Sequence, residues 1–152
     1  MVQNNSVSSV NLPSTNDLHN LSSTEILSGI LLFAQETKFP EQALYEFFRE
    51  IGSKDHTLAR RFRVAGDQWL RSEPLRRILD HLEMGKIVET PLPNPVDQFY
   101  KVRKSQTESL KKDLGERGVL PTYENQLKGL SDRFSELVQK FKERAKTSDE
   151  AA

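Results

Sequence analysis

Apolar residues recur at helical spacing through most of this chain, and the faces they build differ from helix to helix. Ser22 precedes Glu25 by three positions, the spacing of a capping box, in which each side chain satisfies an amide at the start of a helix. Ile26, Leu27, Ile30, Leu31, Phe33 and Ala34 follow, apolar on nearly all sides, so this helix is expected in the middle of the core. Pro40 opens a second, amphipathic helix with Leu44, Phe47, Phe48 and Ile51 along one face until Gly52. A third is predicted from Asp55 to Leu70 through Leu58, Phe62, Ala65 and Trp69, with Gly66 weakening its end. A tight corner at Arg71 and Ser72 then leads into a fourth, whose buried face is Leu75, Ile78, Leu79 and Leu82 and whose end lies near Gly85.

Past Gly85 the period changes. Ile87, Val88 and Thr90, followed by Pro91, Pro93 and Pro95, suit a short edge strand within residues 86–92. Two continuations are open. Gln98 to Lys104 can return as the second strand of a hairpin through Phe99, Tyr100 and Val102. Alternatively, a helix starts at Asn94-Pro95, with Asp97 in its first turn, and continues through Leu110 and Leu114. The final helix has the clearest pattern: Tyr123, Leu127, Leu130, Phe134, Leu137 and Phe141 alternate by four and three. This seam either folds onto its own chain as a helical hairpin or forms an interface with a second copy, as a homodimer, or with another protein.

The ends read differently. Met1 to Leu21 is rich in Asn and Ser, with its few aliphatic residues out of period, and residues 146–152 are small and charged. Both are expected to be flexible, an arm and a tail, because neither buries enough to offset the entropy of ordering. One mainly α domain is left over residues 22–145, a helical core with a strand or hairpin over 22–104 and C-terminal helices over 105–145. At 36% hydrophobic residues the 152-residue chain supports one core. It has no cysteine, so packing alone must hold it. The first basic residue is Lys38, and the stretch from Ile26 to Ala34 is far below the ~20 apolar residues that span a bilayer. A cytoplasmic protein with no membrane partner is expected.

Candidate chemistry is sparse. His19, His56 and His81 are far apart, with no paired spacing for a metal, and the glycines form no phosphate loop, dinucleotide turn or nucleophile elbow. His81 beside Asp80 and Glu83 is the densest local cluster, and such residues on an amphipathic helix normally form a solvated face. No enzyme, metal or cofactor is expected.

Charge changes the picture only locally. Lys+Arg and Asp+Glu both number 22, so no whole-molecule field draws the chain to nucleic acid. Between residues 60 and 77, however, Arg60, Arg61, Arg63, Arg71, Arg76 and Arg77 face only Asp67 and Glu73. Guanidinium forks suit phosphate and guanine edges. A second basic run, Lys101, Arg103 and Lys104, follows the proline turn, with Lys86 before it. The order helix, corner, helix, strand, turn, possible strand over Asp55 to Lys104 resembles a winged helix-turn-helix, with Leu75 to Ile87 similar to a recognition helix entering the first wing strand. That resemblance implies that Arg76 and Arg77 face the major groove and that Lys101, Arg103 and Lys104 sit near phosphate. It also implies that the C-terminal helix dimerises, as in regulators of the PadR type. The function expected is a small DNA-binding regulator of transcription. The alternative is a helical adaptor that binds a protein partner through the Tyr123 to Phe141 seam or a surface including Trp69.

Overall fold

The computed structural model describes residues 15–35, 38–90 and 99–151, with side chains as far as Arg144. In chain order the elements are α1 (Ser23–Phe33), β1 (Lys38–Pro40), α2 (Glu41–Gly52), α3 (His56–Phe62), α4 (Glu73–Met84), β2 (Val88–Glu89), β3 (Phe99–Val102), α5 (Thr107–Glu116) and α6 (Glu124–Ala151). The fold is mainly α, with a small antiparallel sheet and a long C-terminal helix, the class that the hydrophobic pattern predicts. No described helix is long and apolar enough to cross a membrane.

α1 starts at the predicted capping box: Ser22 Oγ accepts from the Glu25 amide, and Glu25 Oε1 accepts from the Ser22 amide. Every residue from Ile26 to Leu31 is buried, as a helix with no polar face requires. α6 covers it, and the two cross closely at Gly29, where an added Cβ would stand 2.6 Å from Leu127 Cδ1. Ser131 Oγ donates to the Ile30 carbonyl at 2.8 Å, so this apolar contact also satisfies its buried polar groups. On its other side α6 reaches α2, where Arg133 Nε and Nη2 donate to the two Glu50 carboxylate oxygens at 2.7 Å each.

The heptad seam is therefore spent inside the chain. Leu127, Leu130, Phe134 and Leu137 are buried, and Tyr123 and Phe141 are half-buried against the same core. The expectation of a dimer or partner interface on the seam is corrected for Leu127, Leu130, Phe134 and Leu137, which are buried in the chain's own core where α6 packs on α1, α2 and β1. Helix α6 also continues to Ala151, beyond the expected start of a tail at residue 146. Phe134 sits edge-on to both Phe39 and Phe47 in the centre of this packing. Replacing it in Phe134→Ala should lower the unfolding free energy by about 3–5 kcal/mol, read by urea denaturation, with no change in sedimentation behaviour.

The sheet has the order β1-β3-β2, antiparallel throughout, with Phe39 opposite Tyr100 and Val88 opposite Val102. Of the two continuations after the prolines, the strand over Phe99–Val102 forms; a helix start at Asn94 falls in residues 91–98, outside the described residues. β1 has no counterpart in the sequence reading. It is three residues long and ends in a proline, which a sheet edge tolerates because its outer side needs no amide.

The arm ends earlier than expected. Asn16–Asn20 forms a 3-10 turn that inserts Leu18, fully buried, into the core, so the domain begins by residue 15; the rest of the arm, residues 1–14, lies outside the described residues. Asp55 fastens this turn. Its carboxylate caps α3 through the Leu58 amide, and accepts from the Thr15 hydroxyl and from His19 Nε2. Burial alone would push the Asp55 carboxyl up, but the hydrogen bonds from Thr15, His19 and Leu58 outweigh it and hold it below its ordinary 3.8. A depressed carboxylate stabilises the fold above its unfolded pKa and loses that contribution as pH falls through the folded one. The stability advantage of wild type over Asp55→Asn should be full above about pH 5 and should shrink steadily below about pH 4, measured by urea unfolding across that range.

Candidate nucleic-acid interface

α3 does not run on to Leu70. It stops at Phe62 because Arg63 turns left-handed (φ 45°) and donates its amide back to the Ala59 carbonyl. Gly66 follows at φ 109°, with the Trp69 carbonyl 2.3 Å from where a Cβ would stand, a turn that only glycine can make. Ala65 and Arg71 then exchange both backbone hydrogen bonds at 2.9 Å and close the loop. The helical spacing of Ala65 and Trp69 is thus a coincidence of sequence, and Trp69 is 56% exposed instead of buried. Gln42 on α2 pins the loop by pairing its side-chain amide with both backbone groups of Leu70, at 2.7 and 2.8 Å.

Ser72 joins the two helices. Its Oγ accepts from the Leu75 amide as the N-cap of α4 and donates to the Phe62 carbonyl at the end of α3. The residues beside this tie, Arg63 and Arg71, are consequently brought to one corner at the N-terminal end of α4, with Arg60 one helical turn earlier on α3. Arg60, Arg63 and Arg71 are exposed, and no described carboxylate lies within ion-pair distance of any of them.

The other three arginines of the run are engaged. Arg61 donates to the Leu21 carbonyl at 2.6 Å and holds the N-terminal turn in place. Arg77 pairs with Glu73 one turn back at 2.6 Å, both side chains well exposed. Arg76 differs in kind. Its Nη1 lies 2.8 Å from Oε2 of the buried Glu41, which also accepts from the Tyr100 hydroxyl at 3.3 Å. Burial and the Glu41 charge push the Tyr45 and Tyr100 phenols well above their ordinary range, so both stay protonated in this cluster. Arg76, for which the resemblance implies a place facing the groove, and Arg61, expected among the DNA-binding residues, are instead each the partner of a group inside the fold. The sequence reading missed Glu41, whose only signal was an acid in the first turn of an apolar-faced helix.

The remaining sequence-predicted cations lie around the sheet. Lys86 is exposed and left-handed (φ 64°) in the turn after α4. Lys101 projects from the outer face of β3 between Lys38 and Glu89, Arg103 stands 3.9 Å from Glu89, and Lys104 is exposed at the following 3-10 turn. The solvent face of α4 itself carries Glu73, Asp80 and Glu83 against Arg76 and Arg77, a small acidic excess. Free positive charge therefore gathers at the N-terminal corner of α4 and at the base of the β2–β3 hairpin.

The pairing pattern predicts unequal mutants. Removing Arg76 leaves a buried carboxylate with only the Tyr45 and Tyr100 phenols beside it, so Arg76→Ala should cost about 1–2 kcal/mol of stability after allowance for the 45% exposure of the arginine side chain. Arg77→Ala should change stability by less than about 0.5 kcal/mol. Thermal and urea unfolding of the two variants, side by side, checks both figures.

Comparison with known proteins finds no family model, no curated protein and no solved structure that matches this chain.

Proposed function

We propose that this protein is a small, non-enzymatic DNA-binding regulator of winged-helix type, which approaches the duplex with the N-terminal corner of α4. The observation that carries the reading is the placement of Arg60, Arg63 and Arg71, exposed and without ion pairs, around the Phe62–Ser72 tie. In helix-turn-helix docking the N-terminal residues of the reading helix reach the base edges. There the helix dipole and three guanidinium groups add in the same direction. The connectivity helix, strand, helices, strand, strand, with sheet order β1-β3-β2, supports the same reading, since it places α4 directly before the hairpin that serves as a wing. Lys101 and Lys104 supply a second phosphate contact at the base of that hairpin.

Fluorescence anisotropy with a mixed-sequence duplex at rising salt tests this. Wild type should bind at low salt and weaken steeply as salt rises, and Arg63→Ala/Arg71→Ala should bind more weakly with a salt slope shallower by about 2. Arg76→Ala should keep the wild-type slope. Absence of binding at low salt sinks the reading.

One observation favours a second reading, a helical adaptor for a protein partner. Trp69 stands exposed at a groove of about 400 Å³ between α2, the 66–70 loop and the turn of α6 that carries Phe141, where Arg144 lies over the Phe141 ring at 4.3 Å. Exposed tryptophan next to arginine is the composition of an interface anchor. The adaptor would engage its partner there and not through the buried seam.

A further inference from the structure

A separate cavity of about 350 Å³ opens between the start of α1, the end of α4 and α5. Leu82, Leu110 and Leu114 give it an apolar lining, and Ser28 stands in its wall. Ser28 is only 4% exposed, yet its hydroxyl has no hydrogen-bond partner among the described residues. A serine inside a helix commonly turns back onto the carbonyl four residues earlier, and this one does not. No fully enclosed polar side-chain atom among the described residues lacks a partner, so the hydroxyl must keep its remaining exposure, and the space it adjoins is this cavity.

The charges that line it are Glu25, Asp113, Arg117 and the titratable His81. Arg117 serves both acids, donating from Nε to Asp113 Oδ2 at 2.9 Å and lying 3.9 Å from Glu25 Oε2. Two carboxylates and one guanidinium leave one negative charge in excess beside an apolar floor and an unused hydroxyl oxygen.

We infer that this cavity is a binding site for a small protonated amine with an apolar body. The body rests on Leu82, Leu110 and Leu114, an ammonium N–H donates to Ser28 Oγ, and the carboxylate excess compensates the charge. The volume is at the lower end of the ~300–1,000 Å³ usual for ligand sites, which sets a fragment-sized ligand. The site is independent of whether the chain binds nucleic acid, although α4 contributes to both.

Titration of the ¹⁵N-labelled full chain at neutral pH with phenethylamine, and separately with phenylpropionate, tests the inference. The amine should give saturable amide shifts around Ser28, Leu82 and Leu110, and the carboxylate should give none. Ser28→Ala should weaken the amine about 2- to 10-fold, the range of one lost hydrogen bond. Asp113→Asn, at an exposed position that cannot unfold the core, should weaken it by a similar factor. Equal response to the two probes, unchanged affinity in both variants, or shifts that never saturate would each overturn it.

Discussion

The crossing of α1 and α6 is the contact on which the rest of the structure depends. α1 has no polar face, so it is stable only if other elements enclose it on every side. α6 provides the largest share of that cover, with α5 and α4 completing it. Gly29 lets the two backbones approach, and Ser131 donates to the Ile30 carbonyl in the last turn of α1, where the Ala34 amide bonds Leu31 instead. Once α6 is fixed there, its far side meets α2 through the Arg133–Glu50 fork, and Phe134 fills the space between α2 and β1. The helix that looked available for a partner is the one the core can least do without. Any surface for recognition must therefore be sought on the faces that α6 does not cover.

On those faces, the role of each arginine follows from what is buried next to it. Glu41 is out of water at the start of α2, and a carboxylate in that position needs a cation more than a solvated phosphate contact would. Arg76 meets that need, while Glu73 takes Arg77 only loosely in water. Among the described residues no carboxylate forms an ion pair with Arg60, Arg63 or Arg71, so their charge remains available. A chain with zero net charge can present a basic corner in this way, because charge need only be uneven locally: neighbouring Arg61, Arg76 and Arg77 are engaged and three guanidinium groups are left together.

Much of the fold is legible in the sequence because its helices are built from local signals. The Ser22–Glu25 box, the stop at Gly52 and the Ser72 start all act within a few residues, and each is found where the pattern places it. Features decided by distant partners were not legible. β1 is defined by pairing with β3, some sixty residues later, and Leu18 is ordered by Asp55 rather than by its own neighbours. The overextended third helix shows the limit of periodicity, since Ala65 and Trp69 keep the spacing but Arg63 and Gly66 break the backbone between them. A heptad likewise states that a seam will be buried without stating against what. For the candidate interface, the arginine run was visible in the sequence, and so was the i,i+4 pair of Arg77 with Glu73, but the engagement of Arg76 and Arg61 depends on Glu41 and Leu21, which only the fold brings near.

That division also determines which residues a phosphate could recruit. Turning Arg76 outward would give up its contact with Glu41 and leave the carboxylate buried against two phenols that stay protonated, a loss of about 1–2 kcal/mol for this partly exposed pair. An exposed phosphate contact returns about 1 kcal/mol at moderate salt. The exchange is unfavourable, so Arg76 stays with Glu41 when a polyanion arrives. Arg63 and Arg71 have no such partner to abandon, and their backbone is already fixed by the Ala65–Arg71 pair and the Ser72 tie. Binding at the corner therefore requires only side-chain ordering, whereas recruiting Arg76 from the face of α4 would also require breaking its pair with Glu41.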